Sequence, residues 1–219
     1  MPKPQQSAPK RPAPRLYLVT PEIADAQGFE RDLSAALGAA DVAAVLLRLK
    51  DSDERTLINR VKALAPVVVK NDTALLLDGI ADIVARGGAD GAHLTGPEAF
   101  SDAIDSLKPD RIAGCGGLPS RHDAMFVAER GADYVMFGEP ESDGGRPAFE
   151  AIIERVAWWA EVFEIPCVAY AASRDEIAPL IAAGADFVAV GDFIWTDARG
   201  VTAAIADAAA CLTLPEEVA

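Results

Sequence analysis

Histidine and cysteine are scarce in this chain of 219 residues, with two of the first and three of the second. His93 and His122 are too few for a multi-histidine metal site, and no Ser/His/Asp arrangement can be assembled around them. Cys115, Cys167 and Cys211 lack metal-ligand spacing and are odd in number, so they read as reduced thiols of a cytoplasmic protein. No apolar run approaches the roughly 18 residues of a membrane span, and the N-terminus lacks the apolar centre of a signal peptide. The expectation is a protein that neither spans nor enters a membrane. Basic residues are also in deficit, 20 Lys and Arg against 34 Asp and Glu, for a net charge of −14. Nucleic-acid affinity comes largely from cations on phosphates, so a nucleic-acid partner is excluded. A phosphorylated small molecule would have to be held by a few local cations against the field of the whole chain.

About half of the residues, 51%, are hydrophobic, and their arrangement is regular. After MPKPQQSAPKRPAP, read as a disordered Pro-rich tail over residues 1–14, short apolar runs alternate with helical stretches. The runs are RLYLVT (15–20), AAVLLRL (43–49), TALLLD (73–78), DGAHL (90–94), RIAG (111–114), DYVMFG (133–138), PCVAYA (166–171) and DFVAVG (186–191). Between them lie segments such as DERTLINRVKALAPVV and PAFEAIIERVAWWAEVF with helical spacing of their apolar residues. Eight strands alternating with helices over about 200 residues predict a single-domain (β/α)8 TIM barrel over 15–212, with a short tail at 213–219. The triplet Gly-Ala-Asp occurs at 88–90, 131–133 and 184–186. In each copy the glycine follows a helix that it can terminate, and the aspartate leads into a strand. That places the triplets on the barrel floor and any site at the opposite ends of the strands.

Read in order, those strand ends offer Thr20, then Arg48 and Lys50, Asp78, His93 to Glu98, Cys115 to Gly117, Gly138 to Glu141, Ala171-Ala172, and Gly191-Asp192. Cations, carboxylates and backbone-exposing glycines dominate. The succession RLYLVTP, LLRLKD, LLLDG, GADGAHLTG, GADYVMFG and GADFVAVGDFI resembles the barrel of the thiamine phosphate synthase and thiazole tautomerase family, over residues 15 to 211. That resemblance implies a transferase that couples a hydroxymethylpyrimidine pyrophosphate to a thiazole phosphate with Mg²⁺, releasing pyrophosphate. Its partners would be phosphorylated small molecules, with self-association left open.

Carried onto this sequence, the resemblance makes Arg48 and Lys50 the pyrophosphate cations, within Leu46-Leu47-Arg48-Leu49-Lys50, where Leu46 replaces the family's Gln. It assigns metal ligation to Asp78 and Glu98. Asn71-Asp72 also offers an Asn-Asp pair, but a β/α unit averages about 30 residues, which fits 48 to 78 and leaves 72 too close. Asp72 therefore reads as a turn before the strand. Glu98 stands where the family has Asp, and it also fits the first turn of the next helix. His93, Gly114, Gly116, Gly138 and Gly191 are the substrate-binding candidates. His122 reads as part of a helix's first turn. The sequence departs from the family at Gly116 (a hydroxyl residue), at Glu139 and Glu141 (in place of a Thr-x-Thr-Lys loop), at Ala171-Ala172 (Gly-Gly) and at Asp192 (Ser). Acids where a cation belongs repel pyrophosphate by roughly 3 kcal/mol per pair at about 5 Å, unless the loop turns outward and Arg146 takes over. Two readings stay open: an active transferase, or a degenerate barrel that binds another ligand or regulates a partner.

Overall fold

The computed structural model describes residues 12–141 and 144–213; the tail expected at 1–14 falls almost wholly outside them, as do 214–219. Eight parallel strands pair in sequence order and close on themselves, β1 with β8. They are β1 Arg15–Val19, β2 Val42–Leu47, β3 Ala74–Asp78, β4 Gly91–Thr95, β5 Ile112–Gly116, β6 Tyr134–Phe137, β7 Cys167–Ala171 and β8 Phe187–Val190. The expected (β/α)8 barrel is the observed fold. The helices are α1 Ala26–Leu37, α2 Glu54–Lys70, α3 Val84–Gly87, α4 Pro97–Leu107, α5 Arg121–Glu129, α6 Phe149–Val162, α7 Ile177–Ala182, α8 Asp192–Trp195 and α9 Val201–Ala210. Local sequence starts several of them. Asp53 accepts from the Thr56 amide ahead of α2, and Ser120 with Asp123 forms a reciprocal cap on α5. No helix of the described residues is long and apolar enough to cross a membrane.

Strand alternation divides the core in two. Tyr17, Val19, Ala44, Leu46, Leu76, Tyr134, Met136, Val168, Tyr170 and Ala189 fill the barrel interior. Their neighbours, among them Leu16, Leu18, Val45, Leu47, Leu75 and Leu77, point outward under the helices. Inside, the Tyr17 and Tyr134 hydroxyls are 2.8 Å apart, and Tyr134 is 3.0 Å from His93 Nδ1. The three central polar rings, Tyr17, Tyr134 and His93, thereby partner one another in the interior.

The Gly-Ala-Asp triplets lie on the floor, as their pattern implies. Gly88, Gly131 and Gly184 all adopt positive φ, at 81°, 100° and 100°, which ends the preceding helix. Each aspartate then binds backward to the strand before its own. Asp90, Asp133 and Asp186 accept from the amides of Leu75, Ala113 and Cys167 at 2.8, 2.7 and 2.9 Å. Their own amides donate to the carbonyls of those same three residues. A carboxylate thus takes a ladder position that the backbone alone would leave open.

Candidate active site

The strand ends surround a cavity of about 790 Å³, within the size range of small-molecule sites. Arg48 and Asp78 face it from the ends of neighbouring strands β2 and β3, with Nε and Oδ2 3.4 Å apart. The Thr20 hydroxyl, buried at the end of β1, accepts from the Arg48 amide at 3.0 Å and fixes the backbone that carries the guanidinium. Asp78 terminates β3, whereas Asp72 sits in the turn at the other end of that strand with φ 54°. Burial pushes the Asp78 carboxyl above its ordinary range, and Arg48 pulls it back.

His93, from β4, also lines the cavity. Burial lowers its pKa to about 4, so the ring is neutral at physiological pH. With Nδ1 paired to Tyr134, its Nε2 faces Gly116. Gly116 lies on a crowded wall: a Cβ there would collide with the Glu139 carboxyl and with His93 Nε2. Gly138, at φ 87°, lines the cavity and turns the chain past β6. The other two glycines do different work. Gly114 is covered by the Tyr134 ring, which occupies the space any side chain would need. Gly191 sits beneath the Tyr170 hydroxyl and Val19, outside the cavity lining.

Two of the charged candidates stand apart from this group. Lys50 is exposed beyond the end of β2, its carbonyl held by Arg60 at 2.6 Å, and it does not line the cavity. Glu98 is exposed in the first turn of α4, after Pro97, and is likewise outside the lining. The structure brings together Arg48, Asp78, His93 and Gly138 at the cavity, sets Gly116 behind Glu139 and His93, and leaves Glu98 on its helix. His122 occupies the exposed first turn of α5.

The loop after β6 departs most from expectation. Arg146 does not reach the cavity. It donates to the Gly138 and Tyr170 carbonyls, both at 2.6 Å, and pairs with Glu176 at 2.8 Å. Glu176 also accepts from the Ala172 amide at 2.8 Å, so the backbone donor at the second alanine of Ala171-Ala172 is already engaged. Glu139 turns inward and accepts from the Gly117 amide. Burial, with a smaller push from Asp78, raises its pKa to about 7. Glu141 and Asp192 line the mouth, and residues 142 and 143 of the loop fall outside the described residues. Arg155 on α6 was not anticipated. It lines the cavity and holds the Leu118 and Pro119 carbonyls at 3.0 Å each. Two guanidiniums therefore face four carboxylates across the cavity wall. Helical spacing alone marks Arg155 as an ordinary surface residue, so no sequence signal singled it out.

The thiamine monophosphate synthase family model matches residues 16–194. The chain belongs to that family. A thiamine-phosphate synthase of Rhodospirillum centenum is 42% identical over 196 residues, covering 88% of this chain and 95% of the relative. One of Hyphomonas neptunium is 35% identical, covering 91% and 94%. A solved thiamine phosphate pyrophosphorylase from Pyrococcus furiosus superposes with a TM-score of 0.76 at 22% identity, over 90% of this chain and 95% of that one. At that identity the superposition speaks for the barrel fold alone, and the sequence relatives speak for the family.

Proposed function

We propose that this chain is a thiamine-phosphate synthase, joining a hydroxymethylpyrimidine pyrophosphate to a thiazole phosphate with release of pyrophosphate. The supporting observation is the Arg48–Asp78 pair, 3.4 Å apart at adjacent strand ends and open to the cavity, in a chain 42% identical to a protein of that name. Arg48 binds the pyrophosphate through its planar donor fork, and Lys50 adds a second cation at the rim as the substrate enters. The apolar wall of Leu46, Met136, Phe137 and Leu118 excludes water around the reacting carbon and strengthens every charge interaction there. As the pyrophosphate departs, positive charge grows on the pyrimidine methylene and the thiazole nitrogen attacks it. The protein contributes position and electrostatics and needs no covalent nucleophile.

Asp78 fits the Mg²⁺ that the family implies. Among the described residues no three His, Cys, Asp or Glu side chains are grouped as a metal cage. Mg²⁺ is often held by one or two carboxylates together with substrate phosphates, so an ion arriving with its pyrophosphate suits Asp78, the lining carboxylate that sits beside Arg48. Asp78 would hold it, and Glu98, which stands outside the cavity lining on α4, is proposed as the further carboxylate; bound there, Mg²⁺ would neutralise charge on the departing pyrophosphate. The partners on this reading are the two phosphorylated small molecules, and the reaction takes place in the cytoplasm. The test is incubation of the full chain with both substrates and Mg²⁺, with chromatographic detection of thiamine phosphate. Arg48→Met is expected to lower the rate at least 100-fold, an effect of about 3 kcal/mol. A wild-type chain that forms no product and does not bind the pyrimidine pyrophosphate in calorimetry overturns the reading.

A further inference from the structure

Glu139 does not fit the role of a loop acid left in solvent. Gly138 at φ 87° turns the chain at the end of β6, and the Glu139 side chain comes back over Gly116, where only a glycine leaves room for it and for His93 Nε2. The Gly117 amide holds its Oε1. Among the described residues no cation pairs with it, and its charged neighbour in the cavity is another acid, Asp78. Half-buried against another acid, with no cation to offset its charge, the carboxyl has its pKa raised to about 7, so much of it stays protonated near neutral pH. In that form it presents a carbonyl oxygen and an O–H side by side.

The cavity also carries apolar interior side chains, Met136 on β6 and Leu46 across the barrel on β2. A flat heteroaromatic ring lying between them would turn its polar edge to Glu139. An aminopyrimidine edge carries an N–H donor next to a ring-nitrogen acceptor, the complement of a carboxyl group. We infer that Glu139 reads the aminopyrimidine edge of the pyrimidine substrate through this paired hydrogen bond. The inference rests on the synthase reading and adds to it the residue that selects the ring.

Calorimetry on the full chain with Mg²⁺ tests it with three ligands: the pyrimidine pyrophosphate, its analogue lacking the amino group, and inorganic pyrophosphate. The wild type is expected to favour the amino ligand over the deamino analogue by about 10- to 100-fold, the worth of hydrogen bonds to a buried acid. Glu139→Gln, which still offers one donor and one acceptor, keeps most of that preference. Glu139→Ala abolishes it, and Glu139→Met, closer in volume, does the same if the alanine variant folds poorly. Inorganic pyrophosphate binds all forms alike. A preference that survives in both the Ala and Met variants overturns the inference while thiamine phosphate formation leaves the synthase reading standing. An equal loss for inorganic pyrophosphate also overturns it, making Glu139 an anion-site or folding residue. A wild type that binds neither pyrimidine ligand overturns both.

Discussion

Replacing Glu139 by Gln converts the inward turn of the β6 loop into a measurable pH dependence. In the folded chain the Glu139 carboxyl titrates near 7, against 4.5 for an ordinary glutamate, with burial as the main cause. That gap corresponds to about 3 kcal/mol between the two protonation states. Because the folded pKa is raised, the folded state holds the proton more tightly than the unfolded chain does. Below about pH 4.5 both states are protonated and the contribution to stability is complete. As the pH rises the unfolded chain ionises first, and stability falls by about 1.4 kcal/mol per pH unit until the folded pKa is passed. His93 titrates in the opposite sense: its pKa, lowered to about 4, makes stability rise with pH up to its unfolded value near 6.5. Both proteins contain His93, so the difference between them cancels its effect. The assay is urea denaturation of the wild type and Glu139→Gln at several pH values from 4.5 to 8. Relative to the variant, the wild type is expected to lose about 3 kcal/mol across that range, most of it between pH 5 and 7. A difference that changes by less than about 1 kcal/mol would refute the reasoning, because it would mean that the carboxyl is solvated and the loop turned outward.

Asp78→Asn is expected to weaken Mg²⁺-dependent pyrophosphate binding at least tenfold while Asp72→Asn leaves it within error, and calorimetry giving the reverse would show the strand-end assignment to be wrong. Glu141 lines the cavity mouth, so Glu141→Lys should raise pyrophosphate affinity about tenfold by replacing repulsion with attraction; unchanged affinity would mean that this side chain remains in solvent. Asp133→Ala strips the Ala113 amide of its acceptor and Lys108 of its 2.5 Å partner. It should cost about 1–3 kcal/mol in urea denaturation, and a stability equal to wild type would deny the floor carboxylates their role.

The order and ends of the strands were legible because apolar runs of four to seven residues, and glycines set after helical stretches, are local signals. The choice of Asp78 over Asp72 was legible from spacing, since a β/α unit needs a minimum length of chain. Glu139 was not, because its inward turn depends on a gap at Gly116 and an amide at Gly117, at the end of the neighbouring strand and 22 residues away for the amide. Arg146 looked available to an anion from its charge alone. Its neighbours Glu176 and Tyr170, contributed by and after β7, engage it instead. Gly114 read as a backbone approach to ligand, yet the ring it accommodates belongs to Tyr134, 20 residues on, and a glycine carries no mark that tells the two uses apart.

The floor aspartates also divide the labour within the chain. Each triplet ends a helix, sets a strand and ties it to its predecessor within three residues, all on the face remote from the cavity. The departures from the family pattern gather at the other end: Leu46, Glu139, Glu141, Ala171-Ala172 and Asp192. A barrel whose closure is secured from below can accept new chemistry in its rim loops without renegotiating its topology. Such a scaffold is open to loop grafting, with Arg146, which bridges β6 to β7 from above, as the rim side chain that a graft must keep.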